Sequence, residues 1–387
     1  MKRWLFLMSV LVCLSGCAHK VEMSQLGIVS GFGIDKIEDR YRLTAQVVNP
    51  SSIAGNQHDT LSIFSVSAEG ETLYDAYREL NTLTSKVLYL PHLSVIVLDE
   101  EIAKDGINTV LDFVLRNAAI RPNITVAIAN NAPAADILHV LIPSDQIPIT
   151  QLDSLSNMCV KCTGRQVNYN LYQVSERVNA EGDNIVLNSV AIIGDGISQG
   201  EKIENILQVE PPTQLQIDSL AAFKSDKLVG YLDSEEAEYY NLLVGNSKRY
   251  VLNTVIDETY KVAYEARDTK VEIKPNLDEK KVKVECKVSG ILMENEYPIN
   301  LMEPKNISIL QSYFEETLKK DLMDFISKTQ QELQSDILGV GSKIHQKDPK
   351  KWAAVNGYWE EIYPTLEFEV DVKIEINSVG DIANLKD

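Results

Sequence analysis

The sequence predicts an α+β protein of several subdomains, with a mixed N-terminal α/β region followed by an antiparallel sheet packed with one long helix. Three patterns lead there. Between residues 60 and 130, short apolar runs alternate with helically spaced ones in the order β-α-β-α-β. From Ile307 to Ile337, Leu310, Tyr313, Phe314, Leu318, Leu322, Phe325, Ile326, Leu333 and Ile337 form one apolar stripe, which as a helix runs over about 30 residues and roughly 45 Å. From Leu366 to Ile376, apolar and charged residues alternate strictly, as in a strand with one wet face.

Composition sets the frame. The 387 residues are 44% hydrophobic and 24% charged, ordinary for two or three globular domains and unlike disordered, collagenous or coiled-coil chains. Lys and Arg number 37 against 56 Asp and Glu, a net charge of −19. With no concentrated basic face, this composition makes the chain a poor candidate for a nucleic-acid partner, which needs clustered cations. The chain is equally a poor candidate for adhesion to an anionic bilayer by charge alone. Five cysteines are too few for a disulfide-built scaffold.

The N-terminus reads as a lipoprotein signal. Lys2 and Arg3 precede an apolar core from Trp4 to Leu14, which ends in Leu14-Ser15-Gly16-Cys17. That core is shorter than the roughly 20 residues needed to span a bilayer, but it fits a signal peptide. Small residues before the cut and a thiol after it look like a bacterial lipobox. The bland alternative is a buried N-terminal helix with an incidental Cys. The expected division is a signal peptide at 1–16, a lipidated tether at 17–25, and two domains at 26–198 and 199–387. Removal of 1–16 takes Lys2 and Arg3 with it and leaves −21. A diacylglyceryl thioether on Cys17, with two palmitate-type chains, gives a lasting anchor where one chain gives marginal binding. No later stretch is apolar enough to span, so the chain is expected to sit on a membrane, outside the cytoplasm, without crossing it.

Further elements follow in order. Leu26–Val29 and Tyr41–Val48 flank Ser30-Gly31-Phe32-Gly33 and read as a hairpin with a glycine kink. A strand at Leu61–Ser67 precedes a helix within Gly70–Leu83, a strand at Leu93–Leu98, a helix over Ile102–Leu115 and a strand at Ile124–Ala129. Ala134–Val140 and Leu171–Val178 read as helices and Ile185–Ile193 as a strand. The glycines of Gly194–Gly200 mark a boundary. Beyond it come strands at Leu215–Phe223 and Lys227–Leu232, then a helix at Glu235–Val244 with Ser234 as its N-cap. Strands follow at Tyr250–Ile256, Val271–Lys274 and Lys281–Val288, and Gly339 and Gly341 end the long helix. There is no internal repeat or low-complexity tract.

Catalytic signals are sparse. Gly31-Phe32-Gly33 lacks the third glycine and the following helix of a dinucleotide loop. No Walker A sequence and no nucleophile elbow occurs. Cys159-x-x-Cys162 is open to three readings: structural residues, a local disulfide, or half a metal site. Cys286 falls on an apolar strand face. His19, His58, His92, His139 and His345 are scattered, with no two at metal spacing. Asp233–Glu238 and Glu315–Glu316 read as solvated helix faces. Lys343, His345, Lys347, Lys350 and Lys351 form the one basic cluster, either a solvated loop after a helix or a contact for an acidic partner or lipid headgroups. Trp352 and Trp359 beside it suit an interface or a core equally. No catalytic, cofactor or metal residue is assigned.

Five stretches in order resemble the Ger(x)C family, the lipoprotein C subunits of spore nutrient germination receptors. The first is the lipobox at Cys17. The second is Ile28-Val29-Ser30-Gly31-Phe32-Gly33-Ile34-Asp35 running into Tyr41-Arg42-Leu43-Thr44-Ala45-Gln46-Val47-Val48-Asn49-Pro50. The third is Asn123-Ile124-Thr125-Val126-Ala127 after Arg121. The fourth is Ala222-Phe223-Lys224-Ser225-Asp226-Lys227-Leu228-Val229-Gly230-Tyr231-Leu232, followed by Glu235 and Glu236. The last is Gln330-x5-Asp336-Ile337-Leu338-Gly339-Val340-Gly341, followed by Trp352 and Trp359. One departure is Ala18-His19-Lys20-Val21, where family members often carry a Trp-Asp pair. The resemblance implies an endospore-forming bacterium and a non-enzymatic subunit. It implies membrane A and B subunits as partners in the inner spore membrane. The rival reading is a substrate-binding lipoprotein of a nutrient transporter, which predicts two α/β lobes around a cleft. A lipid-anchored hydrolase would need a nucleophile or metal signature.

Overall fold

The computed structural model describes residues 25–49, 61–159, 164–247 and 249–380. The chain opens with a hairpin of β1 (Leu26–Ile37) and β2 (Arg40–Val48). Register shifts between Val29 and Gly31, a bulge at the expected glycine kink. Gly33 has a packing reason: a Cβ there would lie 3.0 Å from the backbone of Ala134. The Gly-x-Gly thus lets a helix settle on the strand.

The strand β3 (Ile63–Gly70), helix α1 (Leu73–Leu80), and strands β4 (Val87–Tyr89) and β5 (Val95–Leu98) follow. Where one helix was expected over Ile102–Leu115, there are two, α2 (Glu100–Asp105) and α3 (Asn108–Arg116). Gly106 separates them at φ +128°, a conformation only glycine adopts easily. The Ile107 N–H donates to the Asp226 carbonyl (2.9 Å) and fixes the break. Then come β6 (Thr125–Ala129), α4 (Ala134–His139), α5 (Thr150–Cys159), α6 (Leu171–Val178), β7 (Val186–Gly194), α7 (Ile197–Gly200), β8 (Thr213–Lys224) and β9 (Lys227–Leu232).

These nine strands form one sheet in the order β3-β2-β1-β5-β6-β7-β8-β9, with β4 also paired to β1. Its centre, β1-β5-β6-β7, is parallel and its flanks are antiparallel. Parallel strands need covered faces, and Val95–Leu98 and Thr125–Ala129 are buried throughout. The strands on either side of the Gly194–Gly200 stretch pair with each other in this sheet.

Helix α8 (Ser234–Leu243) leads to the second sheet. Its N-cap is Asp233, where Ser234 was expected. The Asp233 side chain accepts from the N–H groups of Glu235 and Glu236, and the Glu236 carboxylate accepts from the Asp233 N–H, a reciprocal capping box. Strands β10 (Tyr250–Ile256), β11 (Tyr260–Asn276) and β12 (Lys281–Asn295) are antiparallel, as expected. Helix α9 (Pro304–Gln331) follows, then α10 (Val340–Lys347), α11 (Pro349–Val355), α12 (Trp359–Ile362) and β13 (Glu367–Ser378). The last strand joins β12 parallel, because the long helix and its short followers form the crossover between them.

The dry face of this sheet carries Val282, Val284, Cys286, Val288, Phe368, Val370 and Ile374, packed with Leu310, Phe314, Leu318, Leu322 and Phe325 of α9. Each such side chain contributes about 1.5–3 kcal/mol on burial. The same cluster takes in Val186, Leu220, Ala222 and Leu232 of the first sheet. One core therefore joins the two sheets.

The long helix stops at Gln331, before the expected Ile337. Leu333 and Ile337 are buried all the same. The chain turns at Gln334, φ +47°, and the Ser335 hydroxyl donates to the Phe223 carbonyl (2.6 Å).

Candidate functional site

Two polar places stand out where the sheets meet. The first is a buried joint around Asp336. Asp336 follows the turn that ends α9, and its carboxylate accepts from the N–H groups of Val340 (3.0 Å) and Gly341 (2.8 Å) and from the Trp359 indole Nε1 (3.0 Å). Burial pushes its pKa up to about 7, against the pull of those three donors. Six residues earlier, the Gln330 amide donates to the carbonyls of Tyr363 and Leu366, both at 2.9 Å. The Gln330-x5-Asp336 spacing therefore serves two turns: Gln330 holds the approach to β13, and Asp336 holds the start of α10.

The loop before β7 is stitched into this joint. The Asn184 N–H donates to the Asp336 carbonyl (3.1 Å), and the Ser342 N–H to the Gly182 carbonyl (2.7 Å). The Trp352 Nε1 donates to Glu181 Oε2 (2.7 Å). Gly182 has φ +71°, and a Cβ on it would come within 2.6 Å of Gly341 and of the Trp352 ring. Beside it, Asp183 pairs with Arg177 (3.4 Å), and burial raises its pKa. A ring column runs from His345 through Trp352, Trp359 and Tyr363 to Phe368, with centroid spacings of 5.4–6.3 Å. The two tryptophans are core anchors.

The second place is a cleft of about 710 Å³ at the carboxyl ends of β5 and β6, lined by Glu100, Asn130, Asn131, Ser219, Asp233 and Lys328 among others. Open α/β sheets bind ligands at such ends. Lys328 Nζ is engaged there, with Glu236 Oε2 (2.6 Å) and the Tyr231 carbonyl (3.1 Å). The lining offers hydrogen-bonding groups. Among the described residues, no group of His, Cys, Asp and Glu is placed to hold a metal ion.

The other residues singled out in the sequence fall as follows. Cys17, His19, His58 and Cys162 lie outside the described residues, so the readings of the lipobox and of the Cys159–Cys162 pair rest on sequence. Cys286 is a buried free thiol, which burial pushes up to about 12. The acidic faces expected to be solvated are partly engaged: Glu238 is buried against Arg165 (2.6 Å), and Glu315 meets Lys373 (3.0 Å) and accepts from the Ile374 N–H (3.0 Å). The solvated-loop reading of the basic cluster also needs correction, because its residues lie on α10 and α11, where Asp348 accepts from the Lys351 N–H and Pro349 starts the second helix. Lys351 pairs with Asp278 at the tip of the β11–β12 hairpin. Sequence reasoning missed Glu181, Gly182 and Asp183. The one available signal was a glycine inside a short polar run.

Comparison with known proteins agrees with this arrangement. Residues 19–192 match the family model described as the spore germination protein N-terminal domain. Residues 218–380 match the one described as spore germination B3/GerAC like, C-terminal. Spore germination protein KC of Bacillus subtilis (strain 168) is 29% identical over 384 residues, covering 96% of this chain and 93% of that protein. Spore germination protein B3 of the same organism is 23% identical over 378 residues, covering 96% of each. The crystal structure of the GerBC protein shares the fold at a TM-score of 0.55 and 22% identity, covering 92% of this chain and all of that one. With both domain models matched in order along nearly its whole length, the chain belongs to the Ger(x)C family of spore germination proteins.

Proposed function

We propose that this protein is a lipid-anchored, non-enzymatic subunit of a spore germinant receptor. It acts with membrane A and B subunits in nutrient-triggered germination, on the extracytoplasmic face of the inner spore membrane. The observation that carries the reading is the pairing of a lipobox ending at Cys17 with a family fold whose described helices include none long and apolar enough to cross a membrane. An acyl anchor raises the local concentration of the body beside its membrane partners, so modest interfaces suffice. The core shared by the two sheets and the stitched Asp336 joint supply a rigid surface for them. A transporter's binding lipoprotein would need a second α/β lobe, and the second half here is four strands under one long helix.

The test is Cys17→Ala. The protein should leave the membrane fraction, and spores carrying it should respond weakly to nutrient. Normal germination with the protein soluble would end the tethering role. Calorimetry of the full-length protein with amino acids and sugars addresses the cleft, since saturable binding there would favour the transporter reading.

A further inference from the structure

Exposed apolar side chains gather at one end of the first sheet. The loop from Glu201 to Pro212 carries Leu207, 74% exposed, and Val209, fully exposed. It is not a slack loop. The Asn205 side chain is buried at its base, donating to the carbonyls of Leu141 (2.7 Å) and Thr213 (2.9 Å) and accepting from the Thr213 N–H (3.0 Å). Ile206 packs on the small cluster of Val48, Ile63 and Leu141, which also takes in Ile28. A buried amide and a packed Ile thus hold the next residues out in solvent, and among the described residues Leu207 and Val209 stay uncovered.

That end is also where the chain enters the fold. Ile28 pairs with Val48, and Val48 with Ile63, so the cluster under the loop sits on the first rungs of the sheet. Two residues before Ile28, Leu26 pairs with Val87, which is 53% exposed. Leu83, just before β4, is 54% exposed. Eight residues, 18–25, separate Cys17 from Leu26, and even fully extended the nine steps between them reach at most about 32 Å. An anchor at Cys17 therefore keeps this end of the sheet near the bilayer. Anchored at Cys17 with residues 1–16 removed, the chain carries −21, so its net charge gives no hold on anionic lipid and contact there rests on apolar surface.

We propose that this end of the sheet faces the bilayer and that Leu207 and Val209 dip into its interfacial layer. The lipid attachment then sets position, and the loop sets orientation, turning a tethered body into one with a fixed face toward its membrane partners. The inference rests on the anchoring reading above.

The experiment uses the full-length protein purified from membranes, with mass spectrometry reporting the state of Cys17. Leu207→Trp, Val209→Trp and, as a control on β10, Val255→Trp are placed in phosphatidylcholine–phosphatidylglycerol vesicles with and without brominated acyl chains. Emission is read as the increment over the unsubstituted protein. Trp at 207 and at 209 should shift to the blue and lose emission in brominated vesicles, while Trp at 255 should do neither. An acylated, vesicle-bound protein with no quenching at 207 and 209 overturns the orientation and leaves the anchor standing. Equal quenching at 255 overturns it too, as general adsorption. Protection of 207 and 209 only when the membrane subunits are present overturns it in favour of a protein partner. An unmodified Cys17 on a protein that does not float with vesicles overturns the anchor and the inference together.

Discussion

The carboxylate of Asp336 and the indole of Trp359 meet at 3.0 Å in the interior, across 23 residues of sequence. The same carboxylate caps the start of α10, so one buried acid ties a helix terminus to an aromatic column. Asp336→Ala leaves three donors without an acceptor, and the cost is about 3–5 kcal/mol. Urea unfolding of the two proteins should show it as a lower midpoint with an unchanged slope.

The pH response of that site has a definite direction. The carboxyl titrates near 3.8 when free and at about 7 in the fold, because burial disfavours its charge. Between those values the folded state binds the extra proton, so stability contributed by this group falls as pH rises from about 4 to about 7. It is flat on either side. Asp35, raised to about 6 by burial at the start of α4, adds to the same slope. Stability of the unsubstituted protein minus that of Asp336→Asn, followed by urea midpoints from pH 4 to 8, should decline across that window. A flat difference would refute the assignment.

Gly182→Ala combines a left-handed backbone with a contact of 2.6 Å to Gly341 and the Trp352 ring, and should destabilise by about 2–4 kcal/mol. Gly196 has a similar φ of +79° but open space around it. Gly196→Ala should therefore cost only the backbone part, about 1–3 kcal/mol at its extended ψ of −178°. Thermal unfolding of the pair separates crowding from strain.

Cys286 should resist alkylation in the folded protein at pH 8, since burial both covers the thiol and pushes its pKa up to about 12. Peptide mapping after iodoacetamide should find it labelled in urea and unlabelled without. Labelling in buffer would mean that the β12 face opens readily.

Lys328→Met removes the cation that Glu236 Oε2 meets at 2.6 Å and the donor to the Tyr231 carbonyl. Both partners are half-buried, so the loss should be about 1–3 kcal/mol. Lys328→Met with Glu236→Gln should recover part of it in a double-mutant cycle.

Much of this fold could be read from local pattern. The strict alternation of Leu366–Ile376 marked a strand with one dry face, and the spacing from Leu310 to Ile326 marked the long helix. Both signals come from one-sided burial, which leaves a period in the sequence. The overrun to Ile337 has the same origin: Leu333 and Ile337 are buried at helical spacing, but in a turn that wraps the joint. Helix α5 was passed over because Ser154, Ser156 and Asn157 dilute its stripe. The parallel entry of β13 leaves no local trace, since either direction gives the same alternation. At the joint, Gln330, Asp336 and both tryptophans were visible as a motif. Their partner loop at 181–184 was not, because a contact reaching across some 150 residues has no period to detect.

The parallel seam between β12 and β13 bears on how the molecule is made. An antiparallel last strand could have zipped up from a hairpin as soon as it emerged. Here the strand that completes the second sheet is separated from its neighbour by the whole length of α9 and the short helices after it. The dry faces of β12 and α9 stay open until β13 has been made. A product stopped short near residue 366 would expose the valines of β12, and cellular quality control would meet it as an unfinished core.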